Sequence, residues 1–364
     1  MKALLHDIRH NPLLWLLAFV PVLFVAQHLR PEAHTLLFVL SILAIVPLAA
    51  LLSHATESVA DTTGDTVGGL LNATLGNLTE LVIALTALRA GQYLLVKASI
   101  AGAIVTNTLF VLGASFLLGG LSHHVQEYNR VNARLQAGLL FLATIALLIP
   151  SAVSKADSAA GAAFTQQLSV GLAVLLIVGY GLGMLFSLKT HRELFISAEH
   201  PEDHTAPWPI GLALATLAGV TVLVALVSDV FVESVQKAAE AFGMTPAFVG
   251  FIVVALVGGA AEMGAAFSAA RKNRLDLSVG IALGSASQIA LFVGPVLVLV
   301  SYFIGPMPMD LQFWPSAVVM ILIATLTTAL VTNGGRSAWF IGVLVLMVYL
   351  IFAMTLYLLP PRGE

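Results

Sequence analysis

Cysteine is absent from the sequence, so disulfides, thiolate metal ligands and thiol nucleophiles have no part in what this chain does. Charge is nearly as scarce: 10% of the 364 residues are Asp, Glu, Lys or Arg, while 59% are hydrophobic. A soluble domain carries about 25% charged residues, and this chain has too little polar surface to cover a water-facing exterior. The short alternating segments of a transmembrane β-barrel are missing. So is any basic cluster interleaved with aromatics, which leaves nucleic acid out as a partner. Paired aspartates, Ser/His pairs and His-Glu-x-x-His do not occur inside the apolar stretches, which argues against an intramembrane enzyme. No enzymatic activity and no cofactor are expected. The net charge of −3 decides little, because here the location of each charge matters more than the sum.

What is present is a succession of apolar runs long enough to cross a bilayer, with a mean hydropathy of +0.98. The expected fold is an all-α polytopic membrane protein with about eleven transmembrane helices, over 12–28, 35–60, 66–88, 93–120, 132–152, 165–188, 208–236, 245–270, 276–304, 311–332 and 337–359. The first run follows a short basic head, Lys2 and Arg9, but no convincing small-x-small cleavage site follows it, so it is read as a retained helix. With the N-terminus cytoplasmic, ten of the sixteen basic residues fall in cytoplasmic segments. That bias favours an N-in, C-out arrangement, and the short loops suggest a prokaryotic inner membrane. The longest hydrophilic connection, 189–207, holds Glu193, Glu199, Glu202 and Asp203 and divides the chain in two.

The halves resemble each other. Gly76-Asn77-Leu78-Thr79-Glu80 lies over Gly258-Gly259-Ala260-Ala261-Glu262 at an offset of 182 residues, and the same offset superposes Arg89 on Arg271, Gly102 on Gly284 and Phe110 on Phe292. Glu57-Ser58-Val59 is echoed by Glu233-Ser234-Val235 at a slightly different spacing. The expected organisation is a leading helix (1–31), a five-helix repeat (32–188), the acidic connection (189–207) and a second five-helix repeat (208–364). An odd number of spans per repeat inverts the second copy, as in secondary transporters whose sites lie near the membrane midplane.

Glu80 and Glu262 sit inside apolar helices, where a carboxylate costs at least a few kcal/mol and is functional by default. Two ionised carboxylates in one low-dielectric site repel, so protons or a cation must offset their charge. Ca2+ suits such a site, because it accepts carboxylates, amide and backbone carbonyls, hydroxyls and water. Competition between Ca2+ and H+ for the same oxygens would couple their fluxes, if the carrier changes its facing only when loaded. Asn77, Asn107, Ser285, Ser287 and Gln288 place neutral oxygens on or beside the same helices. Each can equally serve as a bond between helices, and the glycines around both glutamates fit close helix packing just as well.

At these residues the sequence resembles the Ca2+/H+ exchangers of the CAX family, within the calcium/cation antiporter superfamily. The family motifs Gly-Asn-Ala-Thr-Glu and Gly-Asn-Ala-Ala-Glu are matched by residues 76–80 and 258–262, with Gly259 standing where the second motif has asparagine. Lys272-Asn273-Arg274-Leu275-Asp276, residues 282–289 and residues 189–195 are similar to family sequence as well. The resemblance implies eleven helices, a leading helix outside two inverted repeats, and export of Ca2+ in exchange for H+ by alternating access. It also implies that Glu80 and Glu262 are shared ligands of both ions; Asn77, Asn107, Ser285 and Gln288 are further candidate metal ligands on the strength of their neutral oxygens.

Glu57, sharing a helix face with Asp61, and its counterpart Glu233 are candidates for relaying protons to Glu80 and Glu262, although solvated helix ends explain them equally well. Asp65 is expected to cap the third helix. His123-His124 makes at best a weak metal site. Transport of Na+, K+, Mn2+ or Mg2+ on the same fold remains the main rival, with a passive channel behind it. An assembly of identical copies is compatible with the sequence.

Overall fold

A computed structural model describes residues 4, 7–9, 11–63, 65–153, 159–195 and 208–358. The acidic connection beyond residue 195, with Glu199, Glu202 and Asp203, lies outside the described residues, as do Lys155 and Arg362. The described chain is helical apart from one two-stranded ribbon. Its helices are α1 (Pro12–Leu29), α2 (His34–Thr62), α3 (Asp65–Leu75), α4 (Leu78–Arg89), α5 (Tyr93–His123), α6 (Arg130–Val153) and α7 (Gly161–Thr190). After the connection come α8 (Ile210–Ala241), α9 (Pro246–Gly258), α10 (Ala260–Arg271), α11 (Leu275–Ile304), α12 (Pro315–Thr332) and α13 (Trp339–Leu358).

Among the described residues nine helices are long and apolar enough to cross a membrane, ten when the bent pair α9–α10 counts as one span. The expected eleven are not reached by this measure. The region read as a continuous third helix is two short ones, α3 and α4, separated at Gly76-Asn77. Asp65, expected as a cap, is the first residue of α3.

The equivalence between the halves extends to element boundaries. α4 and α10 start and end at positions 182 residues apart, as do the starts of α5 and α11. The turns between them place Gly91 (φ +73°) and Asn273 (φ +61°), again equivalent, in the left-handed conformation that glycine and asparagine tolerate best. A π-helical stretch interrupts α5 at Thr106–Val111 and α11 at Ile289–Val293. Such bulges are frequent at functional sites.

Contacts sort the turns onto two faces. On one, β1 (Val125–Glu127) pairs antiparallel with β2 (Arg336–Ala338). Buried Gln126 donates to the Ala270 carbonyl (2.9 Å) and to Asn273 Oδ1 (3.0 Å) there. The Tyr128 phenol, pushed up to about 12 by burial, stays neutral and donates to the Val331 carbonyl. His123, half of the weak metal candidate, bonds the Arg271 carbonyl (2.8 Å), and among the described residues no three His, Cys, Asp or Glu side chains cluster. On the opposite face, the α4–α5 turn meets α8 and the loop before α12. Arg89 pairs with Asp229 (2.8 Å), Gln92 donates to the Val232 carbonyl, Tyr93 donates to the Met307 carbonyl, and Lys97 pairs with Asp310. Equivalent turns on opposite faces are what inverted repeats require.

Candidate functional site

Both candidate carboxylates stand immediately after a break in a span. Asn77 (φ −101°, ψ 32°) precedes α4, and Gly259 (φ −80°, ψ 9°) precedes α10, where α9 and α10 bend by 60°. The sequence places both glutamates inside continuous apolar helices; instead each lies in the first turn of a new one. Glycine weakens helix continuity at both positions. At Gly258 a side chain would also crowd the site, since a Cβ there would stand 3.0 Å from Glu80 Cγ. Each carboxylate therefore stands in a first turn, where the positive end of the helix dipole favours negative charge.

Four of the expected neutral residues are brought together beside this pair. Asn77 donates its Nδ2 hydrogen to Gln288 Oε1, and its Oδ1 accepts from the Ser285 hydroxyl (2.8 Å). Asn107, in the π-helical stretch of α5, donates to Ser285 Oγ (2.8 Å). The single hydroxyl hydrogen of Ser285 is thus committed to Asn77. The chain of amides and hydroxyls joins α4, α5 and α11. Ser287 is not part of it: its hydroxyl faces the Gln136 carbonyl (3.4 Å) on α6.

One narrow cavity brings Glu80 and Glu262 together, lined also by Ala49, Leu52 and Ser53 of α2 and by Gly76, Thr79 and Gly258. It approaches from the ribbon side. A second cavity reaches Glu80 from the opposite side, past Ser99, Ala103 and Ala255, and Glu262 does not line it. Glu262 Oε2 is buried without a hydrogen-bond partner among the described residues. A buried, unpaired carboxylate oxygen in native structure calls for a proton or a cation, and two carboxylates with amide and hydroxyl oxygens nearby form a donor set suited to a hard divalent ion.

The two relay candidates differ. Glu57 accepts a hydrogen bond from Ser53 (3.3 Å), a cavity residue one helical turn away. Glu233 is exposed on α8, with no hydrogen bond or ion pair among the described residues. The repeat that pairs Glu57 with Glu233 also pairs Ser53 with Asp229, which is engaged by Arg89. That ion pair leaves no local signal in the sequence, because its partners lie in different halves of the chain.

Inverted helical repeats with carboxylates at paired helix breaks define a membrane protein of the ion-exchanger class. The chain belongs to the family described as sodium/calcium exchanger protein, whose profile matches residues 33–189 and 212–358. It is 39% identical to a Ca2+/H+ antiporter of Aphanothece halophytica, over 96% of this chain and 97% of that protein. It is 40% identical to one of Synechocystis sp., over 95% and 96%. Among solved structures it is similar to native YfkE, with a TM-score of 0.81 and 36% identity, covering 94% of this chain and 98% of that one. The H+/Ca2+ exchanger CAX shares the fold, with a TM-score of 0.75 at 15% identity over 94% of this chain and 87% of that one.

Proposed function

We propose that the chain is a secondary antiporter that exports Ca2+ in exchange for H+, with Glu80 and Glu262 as ligands shared by both ions. The observation that carries this reading is the cavity holding both carboxylates, with one buried Glu262 oxygen left unpartnered. Full-length similarity to proteins named Ca2+/H+ antiporters supports the choice of ions.

The cycle follows from electrostatics. Two negative charges in a low-dielectric site are too costly to carry through a change of facing. Ca2+ offsets both at once, and protons offset them separately. The loaded carrier therefore switches while the doubly charged one does not, which makes the exchange obligatory. Asn77, Asn107, Ser285 and Gln288 hold and complete the oxygen shell. Glu57, through Ser53, passes protons or cations between the cavity and the ribbon face, and Glu233 serves the other face. The basic residues on the ribbon face, Arg130, Arg271, Lys272, Arg274 and Arg336 among them, fit a cytoplasmic placement of that face in a prokaryotic inner membrane. The N-terminus is then inside and the C-terminus outside.

The test is uptake of radiolabelled Ca2+ into oriented vesicles under an imposed pH gradient. Wild type accumulates Ca2+ only with the gradient, and lowering pH on the loading side raises the apparent KM because protons occupy the same oxygens. Glu80→Gln and Glu262→Gln each lose at least about a hundredfold in rate, in line with removing a charged ligand worth a few kcal/mol. Uptake that ignores the gradient, or normal transport by either folded variant, would sink the two-carboxylate exchange.

A further inference from the structure

The inverted repeat provides an internal standard for the site. On one side of the carboxylate pair, Asn77 accepts from Ser285 and donates to Gln288. Shifted by 182 residues, the counterparts on the other side are Gly259 for Asn77, Ala103 for Ser285 and Thr106 for Gln288. Both members of the amide–hydroxyl pair are thus missing together, the amide to glycine and the hydroxyl to alanine. Thr106 does not take their place, since it is buried and its hydroxyl lies near that of Tyr349 (3.4 Å).

The geometry reflects this loss. The cavity beyond Glu80 is lined by Ala103, Ser99 and Ala255, so it reaches the position where the second hydroxyl would stand. The position is tight without being closed: a Cβ at Gly259 would lie 3.3 Å from the Ala255 carbonyl oxygen, which must give by a few tenths of an ångström, and 3.8 Å from Glu80 Oε1. The furnished side carries the hydrogen-bonded chain Asn107–Ser285–Asn77–Gln288, whereas no side chain donates to Glu80 among the described residues. The two glutamates, equivalent in sequence, therefore sit in unequal shells.

We propose that Gly259, together with Ala103, sets the cation selectivity of this antiporter by leaving the second-repeat side of the bound ion to water. An ion seated between Glu80 and Glu262 meets carboxylate, amide and hydroxyl oxygens on the Asn77 side, and on the Gly259 side no side-chain amide and only the Ser99 hydroxyl beside solvent oxygens. Ca2+ gives up water readily for protein oxygens, while Mg2+ keeps several waters and demands tight octahedral geometry. A half-furnished shell narrows the advantage of Ca2+, because the water-retaining competitor is not asked to dehydrate fully. This inference rests on the two-glutamate site proposed above.

The experiment compares wild type with the double variant Ala103→Ser/Gly259→Asn in vesicles, reading the KM for Ca2+ and the Mg2+ concentration that halves Ca2+ uptake. Furnishing the second side lowers the Ca2+ KM about tenfold, the size of one added oxygen ligand to a charged ion. It also raises the Mg2+ concentration needed for half-inhibition by a similar factor. An unchanged KM and unchanged Mg2+ inhibition in the folded double variant overturn the proposal. Should that variant not fold, Asn77→Gly/Ser285→Ala, which strips the furnished side, is read instead. Its Ca2+ KM rises and its Mg2+ sensitivity increases, and a wild-type profile there is equally fatal. Glu80→Gln separates the two levels of failure: if that variant transports normally, the site itself is wrong, not only its asymmetry.

Discussion

Asn77 uses both ends of its amide on residues 208 and 211 positions away, Ser285 and Gln288. Its oxygen keeps a second lone pair that can reach an ion, so one side chain both holds α4 against α11 and serves the shell. Asn77→Ala leaves the Ser285 hydroxyl and the Gln288 carbonyl oxygen without this partner, and a lost buried polar partner costs about 1–3 kcal/mol. The expected outcome is a lower Tm in detergent and a several-fold higher Ca2+ KM. The double variant with Ser285→Ala should lose less than the sum of the single losses, a coupling that a double-mutant cycle reads directly. Strict additivity would mean that the two residues act independently. The glutamates were legible in the sequence, because a carboxylate in an apolar run demands a reason. The partners of Asn77 were not, because pairing across some two hundred residues leaves no local signal. Ser287 was a different failure: two residues after Ser285 on a helix, it points to nearly the opposite side, and that periodicity excludes sharing one site.

The repeated elements carry one sequence pattern in two packings. Gly102 of α5 is pressed against the α9 backbone, so that a Cβ would overlap the Phe251 carbonyl, whereas the equivalent Gly284 of α11 has nothing within 4 Å of such an atom. The α5–α9 seam is closed, and the α11–α3 seam at this position is open on the side from which the shared cavity approaches. If the repeats exchange packings as the facing changes, Gly284 must later meet α3 as closely as Gly102 now meets α9. Gly102→Ala should therefore destabilise the protein by about 1–3 kcal/mol through overpacking. Gly284→Ala should leave Tm unchanged or slightly higher, since alanine favours the helix by about 1 kcal/mol, and yet slow turnover about tenfold or more. A Gly284→Ala variant with wild-type turnover would refute the exchange of packings. Most of the spans were readable from apolar runs and punctuation, to within a few residues. The breaks at Gly76-Asn77 and Gly258-Gly259 were not, because the flanking sequence stays apolar and nothing local distinguishes a glycine in a helix from one that ends it.

At the scale of the whole molecule, the two faces are fastened unequally. Arg89 and Asp229 join α4 to α8 on the face opposite the ribbon. The same relation in the inverted half would join Arg271 to Ser53, which carries no charge. Closing the opposite face thus gains an ion pair that closing the ribbon face lacks. The contribution is modest, since Arg89 is 65% exposed and Asp229 37%, and exposed pairs contribute at most about 1 kcal/mol. A two-state equilibrium moves by no more than about fivefold for that energy. Asp229→Asn should shift the population toward the state open on the opposite face by up to that factor. The absence of cysteine makes the shift measurable without background: a single cysteine in place of Ser53, beside the carboxylate cavity, reports access from the ribbon face through its labelling rate by an impermeant maleimide. Labelling from that face should slow when Asp229→Asn is added, and Arg89→Gln should slow it equally, because either change removes the same bond. If labelling stays constant or accelerates, the ion pair does not favour the present facing, and the bias lies in the apolar seams between the helices.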